Sequence, residues 1–140
     1  MRCRGSEFRA AVDAALASLP EEIRARLDNV VVDIQDWPGP TDSPTDDGLL
    51  LGQYSPSPVL HQDHSLGFAP PGRIKIFRRP LERSCRTRAE LELEIAATVV
   101  HEIAHHFAFS EADLEPFEAR VARRRAELEA ERRAASADDD

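Results

Sequence analysis

Apolar residues recur at helical spacing near both ends of the chain. The first repeat predicts a helix over residues 6–18 with Ser6 as its N-cap, followed by a short helix over 21–27. The last repeat predicts a helix from about 113 to 133. We therefore expect helices at both ends of the chain.

Three segments of the intervening chain have strand patterns instead. Residues 30–34 are a β-branched run, 49–54 are a weaker candidate, and 73–77 alternate polar and apolar residues between two prolines. Stretches rich in proline and glycine, 37–48 and 55–71, predict the loops between them. This order predicts an α+β fold in which a small sheet of three to four strands packs on one further helix.

That further helix is predicted over residues 90–107. Its apolar residues fall on one broad arc of the helix surface. Thr87 and Glu90 form the Thr-x-x-Glu pattern of a capping box at its start. Polar residues near its C-terminal end lie beside the arc, at the edge of the predicted buried face.

His101, Glu102 and His105 form the pattern H-E-x-x-H within this helix. Residues four apart project from one helix face, so the two imidazoles can share one Zn²⁺. Glu102 can reach a water on that metal and act as its general base. The alternative is a core helix whose histidines are spaced by four by chance, since polar residues beside a core stripe need no metal.

Length and composition indicate one soluble domain. The 140 residues are 41% hydrophobic and 31% charged, and we expect a single domain over 1–134 with a disordered acidic tail over 135–140. The net charge of −8 argues against nucleic acid or an anionic membrane as a partner, because both need a basic face. No membrane span or secretory signal is visible, and Cys3 and Cys85 are expected to be reduced thiols, which predicts a cytoplasmic location.

The segment T-V-V-H-E-I-A-H-H-F-A-F-S-E resembles that of the minimal zincins, small bacterial zincin-like metallopeptidase domains. The segments L-D-N-V-V-V, L-L-G-Q-Y and I-K-I-F-R-R-P-L-E are similar to the same family, so the resemblance spans about residues 6–120. It implies a mixed sheet on the active-site helix, zinc as cofactor, His101 and His105 as ligands, and Glu102 as the catalytic base. The methionine turn of the metzincins is absent, because the only methionine is Met1.

The resemblance also implies an acidic third ligand. The family usually has glycine three residues after the second metal histidine and the acidic ligand three residues further on, and these positions are Ala108 and Glu111 here. A continuing helix would place Glu111 about 15 Å along the axis from His101. We therefore predict a break near Ala108 and Glu111 as the third ligand, with Asp113 as the fallback.

Polar groups elsewhere have both a functional and a structural interpretation. His61, Asp63 and His64 could hold a second metal, but a polar surface loop is favoured. Acidic residues in 37–48 could bind Ca²⁺, but they lack EF-hand spacing, which favours a solvated turn. The arginines of 78–88 could bind an anion, and a solvated connection is favoured.

His106 and Tyr54 each have a functional and a structural interpretation. His106 projects about 100° away from His105 around the helix, so we expect it to pack, or to bond to a carbonyl or carboxylate, rather than to ligate. Tyr54 could stabilise an oxyanion, but a partly buried core tyrosine is favoured.

Together these features predict a zinc-dependent metallopeptidase-like hydrolase that acts on peptides or unfolded proteins. Three protein ligands leave one zinc position for water. An extended substrate could pair with the edge of the strand 73–77. The alternative is a non-catalytic zinc-binding domain with a structural or protein-interaction role, and a weaker one is hydrolysis of a non-peptide amide. The substrate and the oligomeric state are left undetermined.

Overall fold

The computed structural model describes residues 1–40, 42, 50–55, 72–107 and 109–138, apart from the side chains of His105 and Asp138. The elements in chain order are α1 (Gly5–Ala17), α2 (Glu21–Arg26), a 3₁₀ turn (Leu27–Asn29), β1 (Val30–Gln35), β2 (Gly52–Ser55), β3 (Gly72–Phe77), α3 (Arg78–Ser84), α4 (Arg88–Phe107) and α5 (Glu111–Asp138). The predicted helices and strands are all present, with small shifts at their ends.

The described strands form one mixed sheet in the order β1-β3-β2. β1 runs parallel to β3, and β2 runs antiparallel to it. The prediction of an α+β fold with a small sheet of three to four strands is confirmed. The prediction that 73–77 offers a free edge to a substrate is wrong, because β3 is the central strand and its backbone pairs on both sides.

The core is built around α4, which packs against α1, α5, β2 and β3. Its residues Leu91, Ile95 and Val99 are spaced by four and fully buried. Small residues of α1, Ala11 and Ala15, are also fully buried, which lets the two helices approach closely. α4 is therefore covered on several sides, which holds its C-terminal end at a defined place.

The connection before α4 is solvated only in part, which corrects the prediction for 78–88: Arg83 and Arg86 are exposed, whereas Arg78 and Arg79 are half-buried. It contains the short helix α3, in which Leu81 and Glu82 are buried. The Glu82 carboxylate accepts hydrogen bonds from the Cys3 backbone N–H (3.1 Å), Arg79 (2.7 Å) and Arg78 (3.4 Å). Burial alone would raise the pKa of Glu82, but the hydrogen bonds from Cys3 and Arg79 and the Arg79 charge lower it from 4.5 to about 2. Arg78 and Arg79 thus stabilise a buried carboxylate.

The helix ends differ from the predictions in two places. α1 begins at Gly5 with Arg4 as its N-cap and without a side-chain capping bond, so Ser6 is not its cap. α5 continues to Asp138, so residues 135–138, predicted to belong to a disordered tail, are helical. The start of α4 agrees with its prediction, because the Glu90 backbone N–H donates to Thr87 Oγ1 at 3.1 Å.

Candidate functional site

His101, Glu102 and His105 all lie in the last two turns of α4. The regular helix places positions 101 and 105 one above the other, as the spacing predicts. The His101 side chain is exposed, and that of Glu102 is partly buried. The side chain of His105 lies outside the described part of the structure.

An open cleft with a volume of about 830 Å³ lies beside this end of α4. It is bounded by the start of β2, by α4 and by α5. Its lining includes His101 and Glu102, together with apolar walls that contain Leu51, Phe109 and Phe117. Charged residues of α4 and α5, among them Glu94, Glu118 and Arg125, also line the cleft, and such a combination of apolar walls and polar groups is typical of a ligand-binding site.

Glu102 has a polar neighbour one turn further along α4. Its Oε2 lies 3.8 Å from His106 Nε2. The His106 ring in turn packs against the Tyr54 ring, with centroids 4.6 Å apart and a tilt of 39°. Tyr54 is partly buried against the core, as the favoured interpretation of this residue predicts.

The helix break predicted near Ala108 is confirmed by the helices on either side of it. α4 ends at Phe107, Phe109 and Ser110 have no regular secondary structure, and α5 begins at Glu111. The predicted conformation of Ala108 lies outside the described residues. The break gives the chain room to change direction before Glu111.

The two candidate acidic ligands are placed differently. Glu111 is exposed in the first turn of α5 and is not part of the lining of the cleft. Asp113 forms a reciprocal cap with Ser110, because the Asp113 N–H donates to Ser110 Oγ (3.1 Å) and the Ser110 N–H donates to Asp113 Oδ2 (3.3 Å). Asp113 therefore has a structural role that Glu111 lacks.

Among the described side chains, which do not include that of His105, no three histidine, cysteine or acidic groups are placed to hold a metal. The donor types nevertheless suit zinc, because α4 carries the imidazoles of His101 and His105 one turn apart and the next helix, α5, begins at Glu111. The structure thus places His101 and Glu102 at one cleft and brings Glu102 close to His106. It does not group Glu111 with them.

Three features of this region were missed in the sequence. Arg125 of α5 forms a two-pronged ion pair with Glu94 of α4, at 2.6 and 3.0 Å, and both residues line the cleft. The Ser-x-x-Asp cap of α5 was also missed, although its spacing is the same signal that identified the start of α4. The third is Gly72, which leaves room for the Tyr54 ring; a single glycine in a strand often marks such close approach.

The loop predictions are decided only in part. Asp42 is buried rather than solvated, because its carboxylate accepts from the Gly39 N–H (2.6 Å) and from Lys75 Nζ (3.1 Å). Burial alone would raise the pKa of Asp42, but these two hydrogen bonds and the Lys75 charge lower it overall. The candidate site at 61–64 lies outside the described residues.

Comparisons with known proteins agree with the pattern in α4. A protein-family model described as zincin-like metallopeptidase matches residues 27–121, more than half of the chain. A solved structure described as a conserved hypothetical protein from Thermo thermophilus is similar over 84% of this chain and 99% of that one, with 21% identity and a TM-score of 0.47. That likeness is too distant to carry an argument. No curated protein matches the chain significantly. Within the described residues, no helix combines the length and the apolar character needed to cross a membrane.

Proposed function

Because the chain belongs to the family of zincin-like metallopeptidases, we propose that it is a zinc-dependent peptide hydrolase. The observation that carries the proposal is that His101 and Glu102 line one open cleft at the end of α4. An imidazole that could bind a metal and a carboxylate that could transfer a proton therefore line the same cleft, next to apolar walls that suit a peptide side chain.

His101, His105 and Glu111 would hold the zinc. Two imidazoles and one carboxylate are a known ligand set of catalytic zinc, and three protein ligands leave one coordination position open. The end of α4 at Phe107 supports a turn of the chain before Glu111. Bound zinc would supply Lewis-acid activation of a water and of the scissile carbonyl.

Glu102 would accept the proton of the attacking water and return it to the leaving amine. Its side chain is 17% exposed, so the carboxylate is accessible from the cleft while most of it is shielded from solvent. Because Glu102 would carry the proton from the water to the leaving amine, the reaction needs no second general acid. Glu102 is thus the residue whose removal should separate hydrolysis from metal binding.

The substrate would be a peptide or an unfolded protein in extended form. β2 is the strand beside the cleft, since Gly52 is part of the lining, and within the described residues β3 pairs with it on one side only. A peptide that adds to the outer edge of β2 would have its backbone held in register. We also propose a cytoplasmic location, because Cys3 and Cys85 are both free thiols.

The test compares wild type with Glu102→Gln for zinc content and for cleavage of a mixed library of quenched fluorescent peptides. We expect about one zinc per chain in both proteins and a loss of hydrolysis of roughly 10²–10⁴-fold in the variant. Glu92→Gln is the matched control, since Glu92 lies on α4 but pairs with Arg88 at 3.6 Å, away from the cleft.

His101→Ala and His105→Ala should both lose zinc, because two remaining ligands hold it too weakly. Full zinc content in both variants would contradict the proposed site. A wild type that binds zinc but cleaves no peptide would favour the alternative, a non-catalytic zinc-binding domain. Undiminished hydrolysis by Glu102→Gln would remove this residue from the reaction.

A further inference from the structure

We propose that His106 is a positioning residue for Glu102, and that Tyr54 and Gly72 of the sheet in turn hold His106 in place. The proposal rests on the hydrolytic function proposed above, because it assigns how the general base of that reaction is oriented. It concerns four residues in contact, called here the positioning chain: Gly72, Tyr54, His106 and Glu102.

The first contact joins His106 to Glu102. The two residues are four apart on α4, and Nε2 lies 3.8 Å from Oε2. A glutamate side chain has three rotatable bonds, so a carboxylate without a neighbour samples several rotamers. Catalytic contacts are often long in the free enzyme and shorten when substrate is bound. At 3.8 Å this contact is longer than a hydrogen bond, so in our proposal His106 restrains the Glu102 carboxylate when the contact shortens around the substrate.

The second contact joins His106 to the sheet. The Tyr54 ring lies against the His106 ring with centroids 4.6 Å apart, and it meets Phe107 edge-on at 5.5 Å. Tyr54 thus packs on two successive residues at the end of α4. Its own backbone is held by β2, where it pairs opposite Ile74 of β3. The sheet therefore sets the position of the imidazole.

The third contact explains the glycine at position 72. A Cβ atom built on Gly72 would lie only 2.8 Å from Tyr54 Cζ, closer than real Cβ atoms approach a neighbour. Gly72 is thus needed for space on the central strand. Any larger residue would displace the Tyr54 ring from its place beside His106.

The main experiment measures zinc content, together with kcat and KM for the single peptide of the library that the wild type cleaves fastest. We expect His106→Ala to lower kcat by about 10- to 100-fold, with KM within about twofold and zinc unchanged, because an outer-shell partner acts through the group it orients. His106→Gln should restore part of kcat, since its amide nitrogen can replace Nε2. Loss of zinc in His106→Ala, or an unchanged kcat, would overturn the proposal.

Gly72→Ala tests the positioning chain at the end that lies farthest from Glu102. It should lower kcat in the wild-type background and have no further effect in Tyr54→Ala, because the two changes then remove the same contact. Gly39→Ala is the matched control: a Cβ there would lie 3.5 Å from Asp42 Oδ2, an ordinary contact. Additive effects of Gly72→Ala and Tyr54→Ala on kcat would contradict the proposal that Gly72 acts through Tyr54 in the positioning chain.

A second readout needs neither zinc nor turnover. The ring current of Tyr54 should shift the NMR resonances of the His106 ring protons in the zinc-free protein, and Gly72→Ala should move them toward their values in Tyr54→Ala. Unmoved resonances would overturn the Tyr54–His106 step. If the wild type cleaves no peptide, the hydrolytic function fails and the positioning role fails with it. Cleavage that is unchanged in His106→Ala overturns the positioning role alone.

Discussion

Replacement of Glu82 by glutamine should weaken the fold in a manner that depends on pH. The side chain is only 4% exposed, and it accepts hydrogen bonds from Arg79 at 2.7 Å and from the Cys3 N–H at 3.1 Å. Its pKa falls from 4.5 to about 2 on folding. Since each pKa unit corresponds to about 1.4 kcal/mol, the ionised carboxylate contributes up to roughly 3 kcal/mol at neutral pH.

The sign follows from the direction of the shift. The folded pKa lies below the unfolded one, so the contribution is fully present above about pH 5 and is lost as the pH falls toward 2. Glu82→Gln should therefore lower the free energy of unfolding by up to roughly 3 kcal/mol at pH 7, or the melting temperature by about 10 °C. The difference between variant and wild type should shrink toward zero near pH 2.

Urea unfolding followed by circular dichroism at several pH values between 2.5 and 7 measures this difference directly. Glu115→Gln is a suitable control, because Glu115 is exposed on α5. Its effect should stay within about 0.5 kcal/mol at every pH. If the difference between Glu82→Gln and wild type is the same at all pH values, the stabilisation does not come from the ionised carboxylate and the prediction is wrong.

Two further predictions concern the ends of α5 and β2. Asp113→Ala should lower stability by about 1 kcal/mol through loss of the Ser110 cap and leave the zinc content unchanged, whereas Glu111→Ala should lower the zinc content. Thermal unfolding measures the first effect and metal analysis the second. Zinc loss in Asp113→Ala alone would make Asp113 the ligand in place of Glu111. Gly52→Ala should destabilise the protein by about 1–3 kcal/mol, because a Cβ there would lie 2.6 Å from Thr98 Cγ2. Adding Thr98→Ser, which removes only that methyl group, should recover part of the lost stability. No recovery in the double variant would place the strain at the Lys75 carbonyl instead, 3.0 Å away.

The local parts of the site could be predicted because their signals act over a few residues. The cap at Thr87, the spacing of His101 and His105, and the end of α4 before Ser110 all depend on hydrogen bonds or helical period within one turn. The assignment of 73–77 as a substrate edge failed for the opposite reason. Alternation identifies a strand, but it does not tell which neighbours pair with it.

Motif and periodicity were enough to predict the family, the fold class and the helix that carries H-E-x-x-H. The central place of β3, the burial of Glu82 and Asp42, and the packing of Tyr54 on His106 became known from the folded protein alone. These are contacts between residues far apart in the chain. They are selected by the burial and pairing of the whole fold, and no short spacing encodes them.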